Sequence, residues 1–342
     1  LSLSLQQRAL ESGGRSNRAG QLCCTAPGKP PLDWSAHLTP GRAVTVTATA
    51  RRSRLNHTRR LAETVFAAMA SKIAVEQAEH PSTGQHVHVH LDHDTATVGV
   101  DMSGERLHRR GYRQETGRAP LRENMAAALL QWAQWSGIEP LIDPMCGSGT
   151  FLIEGALMAA GRAPGLGHTF PFEAWPVLNA QAWVRLVEEA QAAEQHPLEG
   201  LPPLQGSDRS AAAIALAQRN AARARCLEAL QLTCRPVAEL TPPQKGPGVV
   251  VCNPPYGKRI GSVKALVPMY QALGRSLKRF EGWRTVVLTT RKALYDTMMA
   301  ELGQQPAEQL RFQHGGLTVF ASCVWVGDDI QAHRTAEDKE PS

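Results

Sequence analysis

The sequence predicts a doubly wound α/β fold, in which helices cover both faces of a mostly parallel sheet. Within residues 141–161, an apolar strand ends at Asp143 and apolar residues later recur at helical spacing. Between them, Gly147 and Gly149 permit a sharp turn. A strand, a glycine turn and a helix in this order aim free backbone N–H groups at a bound small molecule. A second apolar strand, 249–251, is expected beside the first in the same sheet.

The residues around the glycine turn exclude two common classes of ligand-binding loop. No lysine follows the second glycine, so the turn is not a phosphate-binding loop of the Walker type. Leu152 occupies the place of the third glycine in a dinucleotide-binding fingerprint. A carboxylate remains at the strand end, Asp143, which suits a cationic or hydroxyl-bearing ligand. Taken alone, the motif is also compatible with a plain structural turn.

A second motif, Cys-Asn-Pro-Pro-Tyr-Gly at residues 252–257, directly follows the strand 249–251. Together with residues 141–161 it resembles motif I and the Asn-Pro-Pro-Tyr motif of class I S-adenosylmethionine-dependent methyltransferases that modify exocyclic amines. An oxygen of Asn253 and the carbonyl of Pro254 can accept the two hydrogens of such an amine, which aims its lone pair at the methyl group. A proline-rich loop without catalytic function is the alternative.

The resemblance implies a Rossmann-like sheet and assigns roles to individual residues. It implies catalytic roles for Asn253, Pro254 and Tyr256, with Tyr256 stacking on the target base. It implies that S-adenosylmethionine is held by Asp143, Cys146, Gly147, Ser148, Gly149 and Asp208. The family has an acidic contact to the adenine where this chain has Pro236, so Glu239 or backbone groups are expected to replace it.

The region before the glycine turn predicts the order β, α, β, β. Residues 44–49 alternate as a strand, a helix follows, and residues 86–100 form a hairpin with its turn at 92–94. Alternation places His86, His88 and His90 on the solvated face of the sheet. A zinc site is the alternative for these histidines, and our expectation is that no metal binds.

With the basic stretch 104–113, this order resembles the later part of a THUMP RNA-binding domain. Residues 99–161 and 206–257 resemble the bacterial guanine-N2-methyltransferases of 23S rRNA, relative to which we expect the chain to be N-terminally incomplete. Aromatic residues of an insertion, 162–202, are expected to pack among themselves rather than cap the cofactor or stack on RNA. The expected organisation is an unstructured opening over 1–32, a partial THUMP-like domain over 33–103, a basic linker over 104–120, a methyltransferase domain over 121–327 that closes with an antiparallel hairpin, and a disordered tail over 328–342.

Positive charge is concentrated in the first third of the chain. Residues 1–120 hold 16 Lys and Arg against 10 Asp and Glu, whereas the rest hold 21 of each. This asymmetry suggests a polyanionic partner. We expect RNA phosphates to be contacted by Arg51, Arg52, Arg54, Arg109, Arg110 and Arg113. The alternative is that the last three arginines pair with acids such as Glu105 and Glu115 and only fix the domain junction.

Composition and the length of apolar runs argue against a membrane-spanning protein and against a disulfide-rich one. Hydrophobic residues make up 42% and charged residues 20%, as in ordinary globular proteins. No run approaches the ~20 apolar residues that span a bilayer, so no membrane partner is expected. Seven cysteines without a Cys-x-x-Cys pair suit a reducing compartment, and a cytoplasmic location is expected.

The leading hypothesis is methyl transfer from S-adenosylmethionine to the N2 amine of a guanosine in 23S rRNA. A tRNA guanine-N2-methyltransferase and a DNA adenine-N6-methyltransferase are alternatives. The DNA enzymes normally need a sizeable target-recognition domain, which no stretch after residue 257 resembles. The non-enzyme alternative is an RNA-binding protein with a degenerate methyltransferase site, a possibility raised by Pro236.

Overall fold

A computed structural model describes the chain as two compact units. The described residues are 33–79, 84–115, 121–194, 198–243, 246–255, 263–305, 308–314 and 316–327, together with the backbone of two short strands before residue 25. The first unit comprises residues 1–107 and 163–192, and the second comprises residues 108–162 and 193–342.

The described strands and helices follow in chain order. The strands are β1 (Arg15–Ser16), β2 (Gln21–Cys24), β3 (Arg42–Arg51), β4 (Val75–Gln77), β5 (Gln85–Asp92), β6 (Thr95–Asp101), β7 (Leu141–Asp143), β8 (Leu204–Asp208), β9 (Leu230–Cys234), β10 (Val249–Cys252), β11 (Arg284–Thr289), β12 (Glu308–His314) and β13 (Leu317–Trp325). The helices are α1 (Thr58–Ala70), α2 (Glu123–Trp132), α3 (Thr150–Ala159), α4 (Ala180–Ala192), α5 (Ala211–Arg223), α6 (Val263–Leu277) and α7 (Lys292–Leu302). None of these helices is both long and apolar enough to cross a membrane.

The first unit is built on a six-stranded sheet with the order β1-β2-β6-β5-β3-β4. β3 runs parallel to β4 and β5, and the other neighbours are antiparallel. The prediction of an unstructured opening is wrong for β1 and β2, because β2 pairs along β6 and extends the sheet. The other residues of 1–32 and the expected tail 328–342 lie outside the described residues.

The predicted hairpin is confirmed as β5 and β6. Its turn residues, His93 and Asp94, have φ angles of +48° and +59°. Two successive left-handed residues match the right-handed twist of the flanking strands, and Asp tolerates this conformation better than most residues. Both valines of β5 are buried at alternate positions, and Val87 packs in one core cluster with Met69 of α1. Alternation therefore leaves the histidines of β5 on the opposite face.

Residues 163–192 of the insertion belong to the first unit rather than to the second. Their aromatic rings pack on one another, with centroids 4.9 Å apart for Phe172 and Trp183 and 5.2 Å for Phe170 and Phe172. Trp175 is buried, and its Nε1 donates a hydrogen bond to Oε1 of the buried Gln85 at 2.8 Å. Mutual packing of the aromatics is confirmed. The prediction of one continuous domain over 121–327 is wrong for residues 163–192.

The second unit contains a seven-stranded sheet with the order β12-β13-β11-β10-β7-β8-β9. All neighbours are parallel except β13, which is antiparallel to both β11 and β12. The predicted doubly wound sheet and its closing hairpin are confirmed. The strand order reverses between β7 and β10, and ligands of open α/β sheets bind outside the carboxyl ends of the strands at such a point.

The central strands of this sheet are apolar on both faces. Leu141 and Val249 contribute to one buried cluster, whereas Ile142 and Val250 contribute to a second. Helices cover both faces, so alternation of polar and apolar residues is absent from these strands. In these central strands, polar side chains are therefore restricted to the strand ends.

Candidate active site

The turn after β7 has the backbone conformation that its glycines predict. Gly147 and Gly149 have φ angles of +52° and +81°, which side chains rarely adopt. A β carbon on Gly149 would lie 3.1 Å from the β carbon of Ala217 on α5, whereas one on Gly147 would meet nothing within 4 Å. Gly149 is therefore needed both for the left-handed backbone of the turn and for its close packing against α5. The space beside Gly147 leaves room for a ligand to approach the backbone.

Two neighbouring polar groups hold the turn. The backbone N–H of Gly147 donates to Oδ2 of Asp208, at the end of β8, over 3.2 Å. The side-chain amide of Asn220 donates to the carbonyl of Ser148 over 3.0 Å. Asn220 is fully buried on α5 and was not identified from the sequence. Its signal is a polar residue on the otherwise apolar face of an amphipathic helix.

Asp143 is a buried carboxyl group at the end of β7. It is 2% exposed, and its Oδ1 accepts a hydrogen bond from the Met145 backbone N–H at 3.1 Å. Burial raises the pKa of Asp143 to about 8; the bond from Met145 opposes this rise, and the charge of Asp208 adds to it. A cationic group bound beside this carboxyl would favour its ionised form.

Asn253 follows β10, which pairs with β7 in the centre of the sheet. Its Oδ1 is buried, and no donor among the described residues forms a hydrogen bond with it. A buried acceptor without a donor costs about 1–3 kcal/mol, which a donor on a bound ligand would recover. Pro254 is buried beside it. Tyr256, the third residue predicted to be catalytic, lies outside the described residues.

Comparison with protein families decides the class of the second unit. A family model described as RMKL-like, methyltransferase domain, matches residues 110–319. The chain belongs to the RMKL-like methyltransferase family.

Individual relatives agree with this family assignment. A Methylococcus capsulatus protein named ribosomal RNA large subunit methyltransferase K/L is 42% identical over 75% of this chain and 36% of its own length. A protein of the same name from Chromohalobacter salexigens is 39% identical over 90% of this chain and 43% of its own length. This chain thus spans about two fifths of these relatives. The crystal structure of SMU.472, a complex with S-adenosylhomocysteine (SAH), superposes with a TM-score of 0.78 at 27% identity, covering 88% of this chain and 79% of that one.

Two of the arginines predicted to bind RNA are partly buried in this RMKL-like chain. An Arg110 guanidinium nitrogen lies 3.4 Å from Glu154 Oε2, with side chains only 13% and 3% exposed. Arg113 contacts Glu123 at 3.5 Å and donates to the carbonyl of Leu121 at 2.8 Å. These contacts favour the alternative of ion pairing for Arg110 and Arg113, and their contact with phosphate remains a prediction.

These pairs position the helix that follows the glycine turn. Tyr112 donates its hydroxyl to Glu154 Oε1 at 3.1 Å, and burial raises the pKa of Glu154, although Arg110 and Tyr112 oppose the rise. Glu154 lies on α3, so residues 110–112 are fixed to the helix that begins at the turn. The ion pairing expected as the alternative is thus present, but with other acids than expected and within the second unit. Glu115 instead pairs with Arg219 and Arg223 of α5.

The other arginines expected to bind RNA are exposed. Arg51 and Arg52 follow one another at the end of β3, and Arg109 is exposed beside the partly buried Arg110. Arg54 pairs with Asp94 of the hairpin turn at 2.9 Å while 90% of its side chain stays exposed. Phosphate contacts by these four residues remain predictions.

The site of the missing acidic contact lies next to Asp208. The backbone N–H of Arg235 donates to the Asp208 carbonyl at 3.1 Å, and Pro236 begins the short 3₁₀ turn Val237–Glu239. Glu239 is exposed at the end of that turn. Its role as a replacement for the acidic residue remains a prediction.

Replacing Asp143 with Asn should weaken the pH dependence of folding between about pH 4 and pH 8. The native pKa is about 8, against about 3.9 in an unfolded chain, so in this window the native state binds a proton that the unfolded state has lost. The free energy of unfolding of the wild type therefore falls as pH rises, by about 1.4 kcal/mol for each pH unit within this window. Urea unfolding of Asp143→Asn and wild type at both ends of the window measures the difference. Parallel pH profiles would contradict the raised pKa.

Arg110→Ala should lower the free energy of unfolding by about 3–5 kcal/mol, because it leaves the charge of Glu154 buried without its partner. Arg106→Ala is the matched control at an exposed position of the same basic stretch, with an expected change within about 0.5 kcal/mol. Urea unfolding monitored by circular dichroism measures both. Equal stabilities of the two variants would show that the buried pair does not hold α3.

Proposed function

We propose that this chain transfers a methyl group from S-adenosylmethionine to the exocyclic N2 amine of a guanosine in 23S rRNA. The observation that carries the proposal is the buried Oδ1 of Asn253, which has no donor among the described residues and lies at the strand-order reversal of a methyltransferase sheet. The names of the two ribosomal RNA methyltransferase relatives support the substrate class. A ribosomal substrate also implies action in the cytoplasm.

The residues at the end of β7 and β8 fit the proposed cofactor. The open side of Gly147 gives a ligand access to the backbone. Asp143 is a buried carboxyl that a positively charged ligand would ionise. Asp208 has two oxygens at the edge of the turn, which now accept from Gly147 and Ser210, and a carboxylate of this kind suits ribose hydroxyls. When bound, S-adenosylmethionine supplies a methyl group attached to a positively charged sulfur.

The chain contributes positioning of the amine. A guanine N2 amine is a weak nucleophile because its lone pair is delocalised into the ring. Asn253 Oδ1 and the Pro254 carbonyl each accept one amine hydrogen, which fixes the plane of the amine and the direction of the lone pair. The nitrogen–methyl bond forms as the sulfur–methyl bond breaks, which leaves a neutral sulfur. The positive charge passes to the amine, which then releases one proton to water, so little acid–base chemistry is required of the chain. Orientation therefore supplies most of the acceleration.

The base must leave its stack before Asn253 can reach it. In a duplex the N2 amine lies in the minor groove, while the Asn253 acceptor is buried at the end of a strand. Enzymes that act on a base commonly extrude it, and the energetic cost is smallest at single-stranded or mismatched positions. We infer that the target guanosine is in an RNA loop or bulge.

Asn253→Ala should reduce methylation by about 100-fold or more while leaving S-adenosylmethionine affinity nearly unchanged, because Asn253 orients the amine and not the cofactor. Methylation is measured as N2-methylguanosine released from in vitro transcribed 23S rRNA, and affinity by calorimetry. Asn253→Asp keeps an acceptor oxygen at the same place and should retain more activity than the Ala variant.

Three results would contradict the proposal. Full turnover by Asn253→Ala would remove the role of this residue. Wild-type product found in tRNA as N2-methylguanosine, or in DNA as N6-methyladenine, would favour one of the other methyltransferase classes. Cofactor binding without methylation of any of these substrates would favour an RNA-binding protein with a degenerate site.

Asp208→Ala should weaken S-adenosylmethionine binding by about 1–3 kcal/mol, since hydrogen bonds to a charged group are lost. Asp208→Asn separates the two roles of this residue, because an amide can keep one acceptor for the Gly147 backbone but carries no charge. Calorimetric titration of both variants measures the effect. An unchanged dissociation constant in Asp208→Ala would mean that the ribose is held elsewhere.

A further inference from the structure

The first sheet carries a polar cluster on the face opposite α1. His86 and His88 alternate with buried valines on β5, so both rings lie on this face. Thr47 of β3 is the register partner of His88. On the other side, Val100 of β6 pairs with Val87, which brings the next residue, Asp101, level with His86. Three neighbouring strands thus place their side chains together.

The distances within the cluster are short. The Thr47 hydroxyl oxygen lies 3.1 Å from His86 Nε2 and 2.9 Å from His88 Nδ1. The two imidazole centroids are 4.1 Å apart. One nitrogen of each ring and one carboxylate oxygen of Asp101 all lie within 4.8 Å of one another. All three residues are partly buried, which limits the positions that their side chains can adopt.

We propose that His86, His88 and Asp101 bind one zinc ion. Two imidazoles and a carboxylate are a ligand set that zinc and its neighbours among the divalent transition metals take readily. Alternation alone predicted histidines on a solvated face; Asp101, contributed by the neighbouring strand, is the ligand that the pattern of β5 does not contain. Three protein ligands leave a fourth position open on this face.

Polar groups around the cluster are placed so that they can orient the three proposed ligands. Imidazole ligands of zinc usually have an outer partner that fixes the ring, and the Thr47 hydroxyl lies in that position for both rings. The Ser103 backbone N–H donates to Asp101 Oδ1 at 2.9 Å and orients the carboxylate. Zinc–ligand distances of about 2.0–2.2 Å require the ligand atoms to approach one another by about 1 Å. Side-chain rotation on the paired strands provides this movement.

The same strand offers a matched control. His90 lies two residues after His88 on the same face, but its Nδ1 contacts the Thr49 hydroxyl at 2.7 Å and it is not part of the cluster. His90→Gln therefore removes one exposed imidazole of β5 and leaves the three proposed ligands in place.

The experiment titrates the full chain, without a histidine tag, with zinc and with cobalt as a spectroscopic probe. We expect one ion per chain, a rise in the melting temperature with metal concentration, and a cobalt spectrum without a thiolate charge-transfer band. His86→Gln, His88→Gln and Asp101→Asn should each weaken binding at least tenfold and abolish the metal-dependent rise in melting temperature. His90→Gln should behave as the wild type.

Variants are compared only after circular dichroism shows that the metal-free forms retain the wild-type fold. Wild-type affinity in both histidine variants, or equal losses in His88→Gln and His90→Gln, would overturn the proposal. A thiolate band would assign the ion to cysteines and also overturn it, as would the failure of the wild-type chain to bind either metal.

Discussion

The parallel pairing of β7 with β10 is the constraint on which the candidate active site depends. Ile142 and Val250 are register partners, so the two strands end side by side although long segments separate them in the chain. Both faces of these strands are covered, and their backbone groups are paired within the sheet. Free polar groups can therefore gather only at the carboxyl edge. Asp143 and Asn253 lie at this edge, one as a buried carboxyl and the other as a buried acceptor.

Buried ion pairs give the chain segment before the sheet a structural role. Arg110 and Arg113 stand in a basic run that resembles a nucleic-acid contact, yet their guanidinium groups lie against carboxylates of α3 and α2. Removing charges from water is costly, so such pairs persist only where geometry and further hydrogen bonds compensate. Here Tyr112 supplies a further bond to Glu154. The result is a fixed start for α3, directly beyond the glycine turn.

In the first unit, contacts between residues far apart in the sequence determine what the insertion and the alternating histidines of β5 do. The insertion leaves the methyltransferase sequence after α3 and contributes to the first unit, where Trp175 satisfies the buried Gln85. On the other face of that sheet, β3 and β6 place Thr47 and Asp101 beside the histidines of β5. A run of alternating histidines thereby becomes a cluster with both nitrogen and oxygen ligands.

Local sequence was sufficient for several elements and for the polar ends of the central strands. The period of apolar residues predicted β3, the hairpin of β5 and β6, β7 and β10 within a few residues, and the glycines after β7 predicted the turn, because both signals depend on neighbours along the chain. It did not predict β1 and β2. Tertiary structure alone decided which charges are paired and which unit holds the insertion. Arg110 meets Glu154, Asn220 meets Ser148 and Asp101 meets His86 across long separations. Such partners depend on how the elements pack, and a charge count or a periodic pattern contains no information about that packing.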